Sequence, residues 1–507
     1  MAKRIALVAA IAFIPLASTQ SSYANSSLSW QSLPGSLYTP PTTPWAYAPD
    51  ASWPPTTIGT PLEPQAPDDE LLQMLSEIDP NRIKHIVSTL ANFGTRHTLS
   101  TQNSSTSGIG AARDWILKEM TAQASPDMTV ELNSYIQGVA ERISFPVNIS
   151  NIVASIPGTD DPNRVYVVTG HYDSRRLDVM DYTNPSPGAD DDATGVAVVM
   201  EMARVVALHG KPKASMIFAA TAGEEQASYG ATHLAKTLKK EGRNVEGNWN
   251  NDIVGTGRNE PFAAINDYTV RLFGASIFYP NASTSEEQTE AGLIGAWNDS
   301  PAQNLGRYIA EIAAGAAEAV GMQVALIYRP DRFLRGGDHL SFLEEGWPAV
   351  RFTEAVEDFR HQHQDPRVQN GTQYGDLIQY VDFDYTARVA RTNLASMWSA
   401  ASAPAMPRNV SISEAIGFPA ADRDTPLEVL SNESQFCWNT GEDPLAAGYE
   451  LVYRASGNLQ WTHVVSVGDV GSVTVDLPKD DVQFGVRAVG KDGKKSPAVL
   501  PAVAGSC

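Results

Sequence analysis

The sequence predicts an α/β fold with a mostly parallel mixed sheet covered by helices on both faces, followed by a C-terminal β-sandwich. Short apolar runs typical of buried strands alternate with helical segments between residues 69 and 403. Polar residues follow the ends of several of these strands. After residue 404 the pattern changes to short strands separated by turns, which is typical of an all-β domain.

The elements of the α/β region follow one another in a regular order. Helical patterns come first, in "ELLQMLSEI", "NRIKHIVSTLANF" and "GIGAARDWILKEMTAQ". Strand and helix then alternate through "RVYVVTG", "TGVAVVMEMARVVALH", "ASMIFAAT", "GATHLAKTLKKEG" and the strand end "NNDIVGTG". The last elements are the helix "SPAQNLGRYIAEIAAGAAEAVG", the strands "QVALIYR" and "PAVRFTEA", and a closing helix in "DFDYTARVARTNLASMWSAA". In such a sheet, ligands bind beyond the carboxyl ends of the strands.

Length and charge exclude some classes of protein. The chain has 507 residues, enough for more than one domain, and a formal net charge of −21. This acidic balance argues against a nucleic-acid partner, which needs a basic surface. Nothing in the composition indicates an oligomer, so a monomer is the default expectation.

The N-terminus has the features of an export signal. Positive charges in "MAKR" precede the apolar run "IALVAAIAFIPLA" and the small residues of "SSYA". We expect a signal peptide over residues 1–24 and a secreted or periplasmic protein. A membrane anchor is the alternative, but a polar tract follows at once, and no other run is long enough to span a bilayer. Residues 25–68 are rich in Pro, Ser and Thr and predict a linker or pro-region.

The C-terminal domain over residues 404–507 contains both cysteines of the chain, Cys437 and Cys507. In an exported protein these two residues could form a disulfide that ties down the chain end.

The chemistry-bearing residues cluster at the predicted strand ends. Each has an ordinary structural explanation alone, because carboxylates often cap helix N-termini and a strand-end histidine is often structural. Together, two imidazoles and several carboxylates are the ligands that two zinc ions need. The residues of this set are His171, Asp173, Asp190, Asp191, Asp192, Glu224, Glu225, Asp252, His361 and His363.

Six motifs, in order, resemble those of the secreted bacterial di-zinc aminopeptidases of the leucyl aminopeptidase type, metallopeptidase family twenty-eight. They are "GHYDS", "PGADDDATG", "AGEEQASYGA", "NNDIVG", "GGDHLSFLEEGWPA" and the H-x-x-x-D run that begins at His361. The resemblance covers residues 70 to 400 and implies a zinc exopeptidase fold with two Zn²⁺ ions. The C-terminal segment is similar to a fibronectin type III domain, through "FCWNTGEDPLAAGYELVYR" and "FGVRAVGKDGKKSP".

The resemblance also implies the role of each residue. His171 matches a zinc ligand, with Asp173 behind it to orient the imidazole. Asp191 matches the carboxylate that bridges the two ions. Glu225 and Asp252 match the further carboxylate ligands.

Two more assignments follow from the same motifs. Glu224 matches the general base, and Asp338 matches a residue that supports the site. His361 matches the last ligand because Asp365 follows it by four residues, and His363 is the alternative.

The implied reaction is hydrolysis of peptides with a free N-terminus, by a metal-bridging hydroxide that Glu224 generates as general base. A carboxypeptidase of the same superfamily is the first alternative, with Arg175, Arg176 or Arg335 as partner of the substrate carboxylate. A glutaminyl cyclase is disfavoured by the full ligand set. The third alternative is a binding protein whose enzyme domain is inactive. Candidates for the wall of the side-chain pocket are Phe333, Leu334, Phe342 and Phe352.

Overall fold

The computed structural model describes residues 58–504 apart from 260–263, 278, 280–282, 414–432 and 442. These residues belong to one compact unit. The predicted signal peptide, residues 1–24, and most of the predicted linker lie outside the described residues. So does Cys507, and with it the predicted Cys437–Cys507 disulfide.

Ten α-helices occur in the described part of the chain. They are α1 (Asp69–Ser76), α2 (Pro80–Ala91), α3 (Gly108–Gln123), α4 (Ala193–His209), α5 (Tyr229–Lys240), α6 (Ser285–Leu293), α7 (Pro301–Gly315), α8 (Ala317–Val320), α9 (His339–Glu344) and α10 (Phe383–Ser402). Within the described residues, none of the helices has both the length and the apolar character needed to cross a bilayer.

Twenty strands occur in the same residues. They are β1 (Thr60–Pro61), β2 (Thr129–Gln137), β3 (Val147–Ile156), β4 (Asp161–His171), β5 (Ala214–Thr221), β6 (Asn244–Asn251), β7 (Arg258–Asn259), β8 (Ala264–Ile265), β9 (Thr269–Gly274), β10 (Gln323–Ile327), β11 (Ala349–Glu354), β12 (Arg367–Gln369), β13 (Thr372–Tyr374), β14 (Ser411–Ser413), β15 (Ser434–Cys437), β16 (Ala446–Ala455), β17 (His463–Gly468), β18 (Ser472–Val475), β19 (Val482–Gly490) and β20 (Ala502–Ala504).

The main sheet has eight strands in the order β10-β9-β11-β6-β4-β5-β3-β2. Its centre is parallel, since β4 pairs with β5 and β6, and β6 pairs with β11, all in the same direction. Strand β10 is also parallel to β9, whereas β9, β3 and β2 join the sheet through antiparallel pairs. The predicted mixed sheet with a parallel centre is confirmed.

Helices cover both faces of this sheet. Successive residues of β4 point to opposite faces, as the strand geometry requires. Tyr166 and Val168 belong to one apolar core with residues of α4 and α10, and Val165 and Val167 belong to a second core with residues of α5 and α9. Strand β4 is therefore buried on both sides, which explains its continuous apolar sequence.

The C-terminal region forms two four-stranded sheets, in the orders β1-β17-β16-β19 and β18-β15-β14-β20. Phe436 of β15, Leu451 of β16 and Phe484 of β19 lie in one shared apolar core, so the two sheets pack face to face. The predicted C-terminal β-region is thus present.

Strand β1 comes from the segment that the sequence assigns to the linker. Thr60 and Pro61 pair antiparallel with Val464 and His463 of β17. The Tyr453 hydroxyl donates a hydrogen bond to the Ile58 carbonyl at 2.6 Å. The end of the predicted linker is therefore a strand of the C-terminal sheet, because its backbone completes an edge that would otherwise lack partners.

Candidate metal centre and active site

The predicted site residues meet where three neighbouring strands of the main sheet end. His171 is the last residue of β4, and Asp252 follows the last residue of β6. Strand β5 ends at Thr221, which lies beside His171, and Glu224 and Glu225 follow it in the chain. Parallel strands bring their carboxyl ends to the same edge of a sheet, so these distant motifs converge there.

The first group of possible metal ligands is His171, Asp191 and Asp252. The His171 Nε2 atom lies 3.2 Å from Asp191 Oδ1 and 3.8 Å from Asp252 Oδ2. The imidazole is buried, yet its Nε2 atom has no hydrogen-bond partner. Burial lowers the pKa of His171, but the three carboxylates of Asp173, Asp191 and Asp252 more than offset this and raise it well above its usual value.

The second group is Asp191, Glu225 and His363. The His363 Nε2 atom lies 2.7 Å from Asp191 Oδ2 and 3.3 Å from Glu225 Oε1. The Glu225 Oε1 atom is also buried without a hydrogen-bond partner. Asp191 therefore faces one histidine with each of its two carboxylate oxygens, as a carboxylate shared by two cations would.

The structure places His363 in the cluster instead of the predicted His361. The His361 ring stacks on Tyr380 with ring centres 3.6 Å apart, and its Nδ1 atom lies 4.0 Å from Asp358. Asp365, on whose spacing the prediction of His361 rests, accepts a hydrogen bond from Arg176 at 2.9 Å. His363 has a left-handed backbone with φ of 53°.

Asp173 fixes the orientation of several neighbours at once. Its carboxylate lies 3.5 Å from His171 Nδ1 and accepts the backbone N–H groups of Glu224 and Glu225 at 3.2 and 3.1 Å. Burial raises the pKa of Asp173, but the interaction with His171 and these two hydrogen bonds lower it overall. Asp173 thus lies at the Nδ1 side of the His171 ring, and Asp191 lies at the Nε2 side.

The two neighbours of Asp191 have structural partners. Asp192 accepts the N–H groups of Gly195, where it caps α4, and of His171, both at 3.0 Å. Asp190 accepts the N–H of Gly255 at 2.7 Å. The triplet thus directs one carboxylate to the cluster and two to backbone amides.

Glu224 borders the open side of the cluster. It lines a cavity of about 590 Å³ together with Asp191, Glu225, Asp252 and His363. Its carboxylate accepts no hydrogen bond from any described residue. Burial raises the pKa of Glu224 well above its usual value, because His171, which lowers it, is opposed by nearby carboxylates such as Asp252. A carboxylate with these properties can accept and return a proton.

Asp338 lies next to the cluster but in neither group. Its Oδ2 atom accepts a hydrogen bond from Thr221 at 2.5 Å, and it is almost fully buried. Burial raises the pKa of Asp338 to about 6. Asp338 therefore contacts the last residue of β5, just before the turn that carries Glu224 and Glu225.

Two arginines contact the cluster, and one of them, Arg351, was not among the residues singled out in the sequence. Arg351 lies 2.7 Å from Asp252 and 2.9 Å from Asp331, and Arg175 lies 2.7 Å from Glu225. Arg351 sits in the otherwise apolar strand sequence "PAVRF". A charged residue inside a buried strand needs a counter-charge, and this was the available signal.

Of the four predicted pocket-wall residues, Leu334 lines the cavity. Phe342 and Phe352 lie in the apolar cores on the two faces of the sheet. Phe333 is 76% exposed and is not part of the cavity wall.

Comparison with known proteins identifies the family. The model of peptidase family M28 matches residues 151–396. A probable zinc metalloprotease of Pyrenophora tritici-repentis is 52% identical over 460 residues, 89% of this chain and 91% of that protein. A probable zinc metalloprotease of Pyricularia oryzae is 50% identical over 469 residues, 89% of this chain and 88% of that protein. These relatives are fungal, which corrects the resemblance to bacterial enzymes.

Among solved structures, the LapA aminopeptidase of Legionella pneumophila is 17% identical and has a TM-score of 0.47, covering 67% of this chain and 74% of that one. A glutaminyl cyclase of Macrostomum lignano is 15% identical with a TM-score of 0.46, covering 70% of this chain and 97% of that one. The family match and the extent of the fungal relatives decide the assignment: this chain belongs to peptidase family M28.

Proposed function

We propose that this chain is an exported di-zinc aminopeptidase that removes N-terminal residues from peptides. Its family and the names of its fungal relatives, probable zinc metalloproteases, make it a zinc metallopeptidase. The observation that carries the di-zinc assignment is the position of Asp191. It lies between two groups that each add one histidine and one further carboxylate.

The side chains of both groups suit zinc. Imidazole nitrogen and carboxylate oxygen are common zinc ligands. The Nε2 atom of His171 and the Oε1 atom of Glu225 have no hydrogen-bond partner, so both are available to bind zinc. One ion would be held by His171, Asp191 and Asp252, and the other by Asp191, Glu225 and His363. When bound, the two ions would lower the pKa of a shared water and polarise the substrate carbonyl.

The proton transfer is assigned to Glu224. Its carboxylate lines the cavity beside Asp191 and Asp252 and is not held by other side chains. Its raised pKa suits a group that takes a proton from the attacking water and delivers it to the leaving amine. Asp173 holds the N–H groups of Glu224 and Glu225, so the two side chains keep separate roles.

The preference for a free N-terminus is inferred from the resemblance of the sequence motifs to those of aminopeptidases in this family, and the strand-end carboxylates are consistent with it. Asp191, Glu224, Glu225 and Asp252 all line the cavity. A substrate ammonium group next to the scissile bond would be attracted there. A carboxypeptidase is the second candidate, because the same cavity is also lined by arginines, including Arg335.

The remaining parts of the proposal concern location and accessory domain. The N-terminal signal sequence supports export. The C-terminal pair of sheets is proposed to be a fibronectin type III domain, and the protein is proposed to act as a monomer.

The test compares wild type with Glu224→Gln on leucine p-nitroanilide, with zinc content measured for both. We expect the substitution to lower kcat by roughly 10²–10⁴-fold, the usual contribution of a general base, without loss of zinc. Glu241→Gln, an exposed glutamate just after α5, is the matched control and should leave kcat unchanged.

Blocked substrates decide between the two exopeptidases. Acetyl-leucine p-nitroanilide should not be cleaved by an aminopeptidase. Cleavage of a peptide with a blocked N-terminus and a free carboxylate would establish the carboxypeptidase instead. Loss of zinc in Glu224→Gln would show that Glu224 is a ligand and not the base.

A further inference from the structure

The wall of the active-site cavity carries more positive charge than the surrounding side chains neutralise. Four arginines line it: Arg142, Arg175, Arg332 and Arg335. Arg175 pairs with Glu225 at 2.7 Å. Arg332 pairs with Asp331 at 3.1 Å and with Glu357 at 2.7 Å. Two of the four guanidinium groups are therefore neutralised within the chain.

Arg335 has only a longer ion pair, to a carboxylate that it shares with two other arginines. Its Nη1 atom donates to the neutral amide of Gln362 at 2.8 Å, and the nearest carboxylate oxygen, on Glu357, is 3.6 Å away. That carboxylate already pairs with Arg271 and Arg332, at 3.0 and 2.7 Å. Within the described residues, the Nε and Nη2 atoms of Arg335 have no hydrogen-bond acceptor.

The surroundings make this charge costly without an anion. The Arg335 side chain is only 30% exposed. Burial, together with the neighbouring Arg332, lowers the pKa of Arg335. A partly buried guanidinium of this kind is stabilised when it meets a carboxylate in a bidentate pair.

Arg142 is the other arginine of the cavity wall that lacks a close carboxylate, and unlike Arg335 it is exposed. It has no ion pair with any described residue, and its Nη1 atom donates to the backbone carbonyl of Glu225 at 3.1 Å. A carbonyl fixes the position of the guanidinium but does not neutralise it. Arg142 is thus held beside the cluster with its charge available to a ligand.

We propose that Arg142 and Arg335 bind a carboxylate of the substrate, so that the enzyme prefers peptides with a carboxylate near the scissile bond. This deepens the proposed peptidase function and rests on it. The carboxylate could be the side chain of an acidic residue or the C-terminus of a very short peptide. Both sources present the same planar acceptor to the arginines.

Size and charge fit this substrate class. A cavity of about 590 Å³ is in the range that holds a small ligand such as a dipeptide. Three of its acidic residues, Asp191, Glu225 and Asp252, are assigned to metal ions, and Glu224 to proton transfer. Glu344 is then the one other carboxylate among the described wall residues, and it is exposed.

The test uses the zinc-loaded full-length enzyme and two matched substrate pairs. Glutamyl and glutaminyl p-nitroanilide differ in the side-chain carboxylate, and Leu-Leu and Leu-Leu amide differ in the terminal one. We expect kcat/KM to be higher by roughly tenfold or more for the charged member of one pair, which is the effect of a hydrogen bond to a charged group. The pair that shows the preference identifies the source of the carboxylate.

The variants assign the effect to the arginines. Arg335→Met and Arg142→Met should each reduce the ratio of kcat/KM between the charged and the neutral member of the pair, a readout that a general loss of activity would not change. Arg335→Lys should keep part of it, because the charge remains. Arg329→Met is the matched control, since Arg329 is exposed, lies six residues away and does not line the cavity.

Equal kcat/KM within both pairs, or a preference that neither substitution reduces, would overturn the proposal. Binding of the same four compounds to the zinc-loaded Glu224→Gln protein, measured by calorimetry, gives the comparison without turnover. The two proposals therefore fail separately. Hydrolysis without charge preference removes only this inference, and charge-selective binding without hydrolysis removes only the aminopeptidase.

Discussion

Buried charges are neutralised differently in two regions of the molecule, the metal cluster and the contact between the main sheet and the C-terminal sheets. At that contact, Asp299 accepts Arg454 through both oxygens, at 2.7 and 2.8 Å, and lies 3.2 Å from Arg307. Arg487 likewise pairs with Glu450 at 2.8 Å and Glu311 at 2.9 Å. Each of these carboxylates has a guanidinium partner supplied by the chain.

At the cluster, arginines pair with Asp252 and Glu225, whereas the shared carboxylate of Asp191 has no arginine partner among the described residues. Asp191 faces two histidines. The buried Nε2 atom of His171 and the buried Oε1 atom of Glu225 have no hydrogen-bond partner. Burying polar groups without partners is unfavourable, so such an arrangement persists when something from outside completes it. The source of the counter-charge, and not burial itself, therefore distinguishes the functional cluster from the structural one.

The largest expected effect comes from the same substitution made in each region. Asp191→Asn should abolish peptidase activity and reduce bound zinc, because it weakens the one carboxylate that both groups share. Asp299→Asn should leave zinc content and kcat unchanged at temperatures where the protein is folded. Zinc analysis and rate measurements on both variants check this. Full zinc content in Asp191→Asn would show that the residue does not bridge two ions.

The second prediction separates the two neighbouring histidines. His363→Ala should lower bound zinc from about two ions per chain to about one, because it removes a ligand from the second group only. His361→Ala is the matched control and should keep both ions, since its ring stacks on Tyr380. The reverse pattern in metal analysis would restore the assignment made from spacing.

This pair of histidines also shows where sequence reasoning stops. Candidate ligands at predicted strand ends, such as His171 after "RVYVVTG" and Asp252 in "NNDIVG", lie in one group in the structure, because strand direction fixes their position. His361 and His363 lie in a loop, where the path of the backbone decides which ring turns inward. The sequence separation of two residues between these histidines does not predict the path of the backbone.

Prediction of the strands met a similar limit. Strands with continuous apolar runs, such as β4 and β5, were predicted, whereas the antiparallel β2 and β3 were not. Strand β2, "TVELNSYIQ", is largely exposed, so it lacks the apolar run that marks a buried strand. The pairing of Thr60 with Val464 joins residues about 400 positions apart, and no local pattern indicates such a contact.

The third prediction concerns the structural side of the comparison. Asp299→Asn should lower the free energy of unfolding by about 3–5 kcal/mol, because it leaves the buried Arg307 and Arg454 without their carboxylate. Denaturant unfolding monitored by tryptophan fluorescence measures it. A change below about 1 kcal/mol would indicate that water reaches these charges and that the contact resembles a surface pair.

The smallest effect is expected at the exposed rim of the same contact, where Lys213 pairs with Asp492 at 2.7 Å and the two side chains are 26% and 40% exposed. Lys213→Met should lower the free energy of unfolding by only ~0.2–1 kcal/mol, because solvent screens the pair.

Burial raises the pKa of Asp492, but the hydrogen bond from Lys213 and other contacts lower it overall. A carboxyl whose pKa is lowered by folding stabilises the protein above its usual pKa and loses that contribution as pH falls through the folded value. The difference in unfolding free energy between wild type and Lys213→Met should therefore be present at neutral pH and shrink below the usual aspartate range. A difference that persists in acid would mean that Lys213 acts through packing of its aliphatic stem, and the contrast between buried and exposed charges would not apply at this position.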